Sequence, residues 1–308
     1  MAPRWDCVCV GLSTVDVLAL IRQRLREDEK IPAQRVLVDG GGPAGTAACA
    51  AARYGAKTAV FSFIGQDLWR DFVRGGFRSF GVATRFLQVR AGMATPVSMI
   101  AVNRDTAART IFWNNQGAGR QKIDLARLIR QGILDTRCLH HDGHLMDLSI
   151  KLAASARKRG ILNSYDCGSV KPGWEKLAAL TDIFIASHQF ARQLRTPAPR
   201  LIAGLRRRFG GQVAVTAGEK GFYYHDADQD RIVLVPQRKT SALDTTGCGD
   251  VFHGAFLAHY LKRRSFPDAL RFAQAAAGAK TRALGGRAGL LGRGIFHSIA
   301  GAYMKWRI

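Results

Sequence analysis

A chain of 308 residues, 47% of them apolar, buries a sizeable core and lies far above the composition of disordered segments. Its 46 basic residues against 23 acidic ones leave a formal charge of +23, a field that draws nucleic acid, anionic membrane or phosphorylated small molecules. The excess is scattered arginine without a recognisable nucleic-acid module, so a basic nucleic-acid-binding protein stands only as an alternative. No stretch offers the roughly 20 uncharged apolar residues of a membrane span. Residues 7–20 resemble a signal-peptide core, but Asp16 interrupts them and no small-residue cleavage site follows. The six cysteines show no zinc spacing and read as free thiols of a cytoplasmic protein.

Strands are predicted at WDCVCVG (5–11), TAVFSFIG (58–65), CLHHDG (138–143), ILNSYD (161–166), DIFIAS (182–187) and QVAVTAG (212–218). Helical patterns fall between most of them, as at 44–54, 147–159 and 253–263. This alternation predicts one α/β domain over 1–308, doubly wound, with a mainly parallel sheet covered on both faces. Residues 17–39 and 96–114 break the rhythm with strands that have no helix between them. They read as a small antiparallel β lid. Ligands bind outside the carboxyl ends of parallel strands. The loops expected to carry chemistry are therefore those after Gly11, at 40–42, 141–144 and 216–221, and at 244–250.

Gly40, Gly42 and Gly45 satisfy G-x-G-x-x-G, which favours a flavin or nicotinamide oxidoreductase. Against it, these glycines follow a lid-like strand rather than the first strand, and no acidic residue closes the next one. TAGEKG (216–221) is by itself a simple turn. His140, His141 and His144 lie at a strand end without helical spacing or cysteine partners, so no metal ligand is assigned among them.

DTTGCGD (244–250) asks for more than a helix cap. Asp250 alone would serve as a cap, which leaves Asp244, Gly247 and Gly249 unexplained. The amides of Gly247, Cys248 and Gly249 together form an anion hole at the positive end of the next helix, suited to a phosphoryl group in transfer. Asp250 stands beside that group as a base for an attacking hydroxyl. Asp244 holds the loop or helps place a cation.

DTTGCGDVFHGAF resembles the second signature of the ribokinase-like (PfkB) carbohydrate kinases, and GGGPAGTAACAAARYGAKTAVFSFIGQD resembles the first. VTAGEKG is similar to the family's nucleotide loop, and the resemblance runs from about residue 5 to 290. It implies transfer of the γ-phosphoryl group of ATP to a sugar hydroxyl, with Asp250 as base. Asp16 and the Gly41–Gly42 turn would hold sugar hydroxyls, while Thr216, Gly218, Gly221, Asp244 and Thr245 would serve the nucleotide. Magnesium, and in some members a monovalent cation, would accompany ATP, and paired lids would give a homodimer. Cys248 replaces the usual alanine, Thr46 stands where many members have a sugar-binding asparagine, and SHQF (187–190) lacks the carboxylate of the magnesium-ordering N-x-x-E motif. GGGPAGTAA, DTTGCGDVFHGA and GGRAG look most like the sulfofructose kinase branch, with ketohexokinase-like members nearby, which implies a ketose or acidic ketose. On that resemblance Lys30, Asn114 and His144 form the anion pocket, with His144 contributing when protonated.

Overall fold

Central strands that are apolar on both faces fold into a parallel sheet covered on both sides. The computed structural model describes residues 3–115, 117–238 and 240–290. Its strands are β1 (Trp5–Val10), β2 (Thr14–Ile21), β3 (Arg35–Gly41), β4 (Thr58–Phe61), β5 (Phe63–Gly65), β6 (Gln88–Arg90) and β7 (Val97–Asn103). There follow β8 (Arg109–Asn114), β9 (Thr136–His141), β10 (Leu162–Cys167), β11 (Ile183–Ser187), β12 (Gln212–Thr216), β13 (Phe222–Asp226) and β14 (Arg231–Val235). The helices are α1 (Pro43–Arg53), α2 (Arg70–Ser79), α3 (Leu125–Arg130), α4 (Met146–Arg157) and α5 (Trp174–Ala178). They continue with α6 (His188–Gln193), α7 (Ala198–Phe209), α8 (Cys248–Arg263) and α9 (Phe266–Lys280).

The main sheet has the order β4-β1-β9-β10-β11-β12-β13-β14, parallel from β4 to β12 and antiparallel over the last two strands. Side chains alternate between the faces of a strand. Cys7 and Cys9 of β1 therefore join the core under α1, α8 and α9, while Val8 and Val10 join the opposite core with Leu148 and Leu152 of α4. Helix α8 lies very close to α1. A Cβ on Gly254 would stand 2.2 Å from the carbonyl oxygen of Ala47, so only glycine permits that approach.

The predicted lid is a second sheet of order β3-β2-β7-β8. Its two outer pairings are antiparallel, but β2 and β7 at its centre run parallel, because the chain leaves through α1 and α2 before returning. One row across the lid is Leu37, Leu18, Ile100 and Ile111, with Leu18 and Ile100 buried. The neighbouring row on the other face is Val38, Val17, Met99 and Phe112, of which Met99 is 61% and Phe112 58% exposed.

Candidate active site

The 244–250 loop is built from behind. The Asp244 carboxylate, fully buried, accepts hydrogen bonds from the amides of Thr246 (2.7 Å) and Gly285 (2.8 Å), with the Lys280 ammonium 3.7 Å away. That ammonium also donates to the Asp244 carbonyl at 3.0 Å. Asp244 thus lines neither cleft described below and fixes the loop instead of touching nucleotide. The positive charge beside it belongs to Lys280, where the sequence suggested a bound cation. Gly247 caps α8 at φ 72°, and a Cβ there would stand 2.8 Å from Cα of Gly286. Both conditions demand glycine.

The three expected anion-hole amides are not equivalent. The Cys248 amide turns back to the Thr245 carbonyl at 3.3 Å, whereas those of Gly247 and Gly249 have no acceptor among the described residues. The open end of a sixteen-residue helix therefore presents two free donors and its dipole. The thiol of Cys248 leans toward the Ala277 carbonyl (3.7 Å), and burial raises its pKa to about 11.

Asp250 stands in the first turn of α8, half-buried, with its pKa raised to about 7 by burial and then by the neighbouring Asp166 carboxylate. His253, one turn on, pairs with Asp166 at 3.1 Å. Burial pushes the Asp166 carboxyl up, but the adjacent imidazole outweighs it and the net shift is downward. Behind them lies His140, whose ring centroid is 5.4 Å from that of His253 and whose pKa burial lowers to about 3. Donor atoms of His140, Asp166 and His253 fall within 4.8 Å of one another, a grouping that the sequence spacing of the histidines does not reveal.

Two clefts meet at this loop. One, of about 860 Å³, is lined by Thr216, Gly218, Gly221, Thr245, Cys248 and Ala277 among others. The other, of about 570 Å³, is lined by Asp16, Gly42, Asn114, Asp142, His144 and Asp250 among others. Arg109, Thr216, Gly218 and Gly249 border both. Arg109 reaches down from the lid and donates to the Thr245 hydroxyl at 2.6 Å. Asp142 binds the rim together, accepting from the amides of Leu12 (2.7 Å), Ala44 (3.1 Å) and His144 (2.8 Å).

Two clefts joined at a free helix end, with a carboxylate of raised pKa between them, form a phosphoryl-transfer arrangement, and comparison with known proteins agrees. Residues 5–291 match the pfkB family of carbohydrate kinases. The chain belongs to that family. It is 24% identical to the deoxyribokinase of Salmonella typhi over 86% of this chain and 89% of that one. It is 25% identical to the ribokinase of Haemophilus influenzae over 87% and 89%. The solved structure of Arabidopsis thaliana ribokinase complexed with ribose and ATP superposes with a TM-score of 0.81 at 22% identity, covering 97% of this chain and 99% of that one. This pfkB-family protein is a phosphotransferase with an alcohol acceptor, and its fold is the ribokinase-like α/β fold.

In this kinase several expected residues fall where the motifs put them, and others do not. Asp16, Gly42, Asn114, His144 and Asp250 share the smaller cleft; Thr216, Gly218, Gly221, Thr245 and Cys248 share the larger. Gly41 lies behind: a Cβ there would overlap the Asp16 carboxylate, and its carbonyl accepts from Arg287 at 2.8 Å. Thr46 is buried and lines neither cleft. Lys30 stands exposed in the loop between β2 and β3, beside Glu27, Asp28 and Glu29, and also lines neither cleft. Burial holds the His144 pKa below its ordinary value, opposite to the protonation its expected anion role required. Phe190, at the position of the missing carboxylate, packs in the core 5.0 Å from Trp174. The GGGPAG turn opens α1 after lid strand β3 and feeds the smaller cleft, away from any dinucleotide βαβ unit. Asp142, Asp166, His253, Lys171 and Arg109 went unnoticed in the sequence. Asp142 lies inside HDGH, whose histidines drew attention instead.

Proposed function

We propose that this kinase transfers the γ-phosphoryl group of ATP to a hydroxyl of a free sugar held in the smaller cleft, with Asp250 as general base. The observation that carries this reading is the place of Asp250: on the free end of α8, where the two clefts meet, with a pKa of about 7. A base poised near the working pH combines the correct protonation state with driving force for proton transfer. Asp16, pushed up by burial and held by the Thr14 hydroxyl at 2.6 Å, and Asn114 serve sugar hydroxyls. The amides of Gly247 and Gly249 receive the charge that spreads over the transferred phosphoryl oxygens. Thr216, Gly218, Gly221 and Thr245 hold the nucleotide. Magnesium, where it accompanies ATP, would neutralise charge on the phosphates. Phe190 offers it nothing, and Glu219 is the carboxylate that lines the nucleotide cleft.

The acceptor is a ketose or acidic ketose on the evidence of GGGPAGTAA, DTTGCGDVFHGA and GGRAG. The relatives named deoxyribokinase and ribokinase favour a pentose as the second reading. ADP release from ATP with fructose, ribose and deoxyribose decides between them, and silence with every sugar, neutral or charged, sinks the kinase assignment. The protein works in the cytoplasm, in keeping with six free cysteines and no described helix able to cross a membrane. It forms a homodimer through the lids, covering the exposed Val38, Met99 and Phe112 row. Met99→Asp with Phe112→Asp should shift sedimentation from dimer to monomer; a monomeric wild type removes the dimer.

A further inference from the structure

Two permanently cationic side chains line the smaller cleft, Arg109 and Lys171. Arg109 is engaged with the Thr245 hydroxyl. Lys171 is half-buried and its ammonium has no hydrogen bond or ion pair among the described residues. The fully buried cations differ: Lys280 is paired with Asp244, and Arg287 donates to the Gly41 carbonyl. Placing a lysine in a half-buried site without a counter-ion costs free energy unless something supplies the anion.

No carboxylate of the same cleft forms an ion pair with Lys171, although Asp166 feels its charge. Asp142 is taken by three backbone amides, Asp166 by His253, and Asp16 by the Thr14 hydroxyl. Asp250 is the proposed base. The lysine is nevertheless held in place. The Val170 amide donates to Gln193 Oε1 at 2.7 Å, the Lys171 carbonyl accepts from the Trp174 amide at 3.1 Å, and Trp174 packs against Phe190 and Phe209. Strand β10 leads into this loop and its neighbour β9 leads into the loop of His144, so the two side chains come from adjacent strands. An ammonium carried on a fixed loop, without an ion-pair partner and beside a neutral imidazole, is a receptor for an oxyanion.

We propose that Lys171, assisted by His144 as a neutral hydrogen-bond donor, forms an anion subsite in the sugar cleft, and that the acceptor sugar carries an oxyanion in addition to the hydroxyl phosphorylated at Asp250. This rests on the kinase reading above and assigns to Lys171 the selectivity that the sequence resemblance had placed on Lys30. Carboxylate, sulfonate and phosphate share the chemistry that Lys171 recognises.

The test is a series differing at one carbon: fructose, fructuronate, 6-deoxy-6-sulfofructose and fructose 6-phosphate, with ribose and ribose 5-phosphate as a pentose pair. The full-length enzyme should turn over one charged member with kcat/KM at least tenfold above its neutral parent, and which member it is identifies the oxyanion. Lys171→Met should collapse that ratio by about ten- to hundredfold, and Lys171→Arg should retain most of it. Thermal shift with the same sugars, read without ATP, should show stabilisation by that anion in wild type and its loss in Lys171→Met. A preference for the neutral parents, a ratio within twofold of wild type in Lys171→Met, or no stabilisation by any anion overturns the proposal. Neutral-sugar turnover that depends on Asp250 would leave the kinase reading standing in each of those cases.

Discussion

The two clefts recognise their contents by different means. The larger is lined along the glycine-rich loops by backbone and small side chains, Gly218, Gly221, Thr245, Cys248 and Gly249, with Arg109, Glu219 and Phe252 among the larger ones. The smaller collects titratable side chains from the lid, from the loop after β9, from β10 and the loop that follows it, and from α6 and α8. A site made of backbone is fixed by a contiguous motif and varies little with side-chain chemistry. A site made of side chains from distant segments can be retuned by single substitutions. Gly249 borders both clefts and Asp250 lines the smaller one beside it, so on the proposed reading the reaction would depend on both while specificity would reside in one.

The sharpest way to break this division is Asp250→Asn. It should lower kcat by roughly 10²–10⁴-fold and leave ATP binding nearly unchanged, since the base acts only as the hydroxyl loses its proton. With the carboxyl titrating near 7, wild-type kcat/KM should fall about tenfold per pH unit on the acid side of that value. The stability effect has the opposite sign. The folded-state pKa is raised above the ordinary carboxylate value, so its proton favours the native state, and that contribution is lost as pH rises through about 7. Asp250→Asn should therefore melt higher than wild type at pH 8. A variant with more than a tenth of wild-type kcat removes Asp250 from the mechanism.

Removing the support behind the loop should act on both clefts together. Lys280→Met leaves the Asp244 carboxylate buried without its cation and should cost about 3–5 kcal/mol, read as a lower denaturation midpoint. A midpoint within experimental error of wild type would show that the pair does not anchor the loop.

A weaker, local effect is expected at Cys248. Its thiol lines the larger cleft and is hard to ionise, so alkylation should be slow at neutral pH and keep accelerating as pH rises toward about 11. Mg-ATP should protect it several-fold by peptide mapping, whereas equal labelling would move the phosphates elsewhere. Smallest of all, Lys30→Ala should change kcat/KM by less than twofold with any sugar, because the side chain is exposed and lines neither cleft. A tenfold loss on an acidic sugar would return the anion pocket to the lid.

The parallel sheet, the helices between strands and the lid were all legible in the sequence, because each depends on local periodicity and on runs that are apolar on both faces. The loops that line the larger cleft were legible for a related reason: DTTGCGD and TAGEKG are contiguous, and glycines mark where backbone must bend or approach. The parallel pairing of β2 with β7 was not, since pairing direction depends on the path through α1 and α2. The role of Asp244 was legible as one of two alternatives, and Lys280 and Gly285, arriving from beyond α8, favour the loop-holding one. Lys30 and Lys171 look alike as letters. Only the path of the chain shows that one faces solvent and the other the sugar cleft.

The contact of Gly254 with Ala47 joins two helices that lie far apart in the chain, which bears on how this protein assembles. Helices α1 and α8 begin at the sugar turn and at the anion hole, and they are locked together across most of the length of the chain. Closing so long a loop loses chain entropy before any contact compensates it, so such pairings form late in folding. An N-terminal portion emerging during synthesis can settle β1, α1 and β4 against one another, yet α1 keeps an uncovered alanine face until α8 arrives. That face is where premature association with other chains would begin, and catalytic competence should appear only with the final collapse.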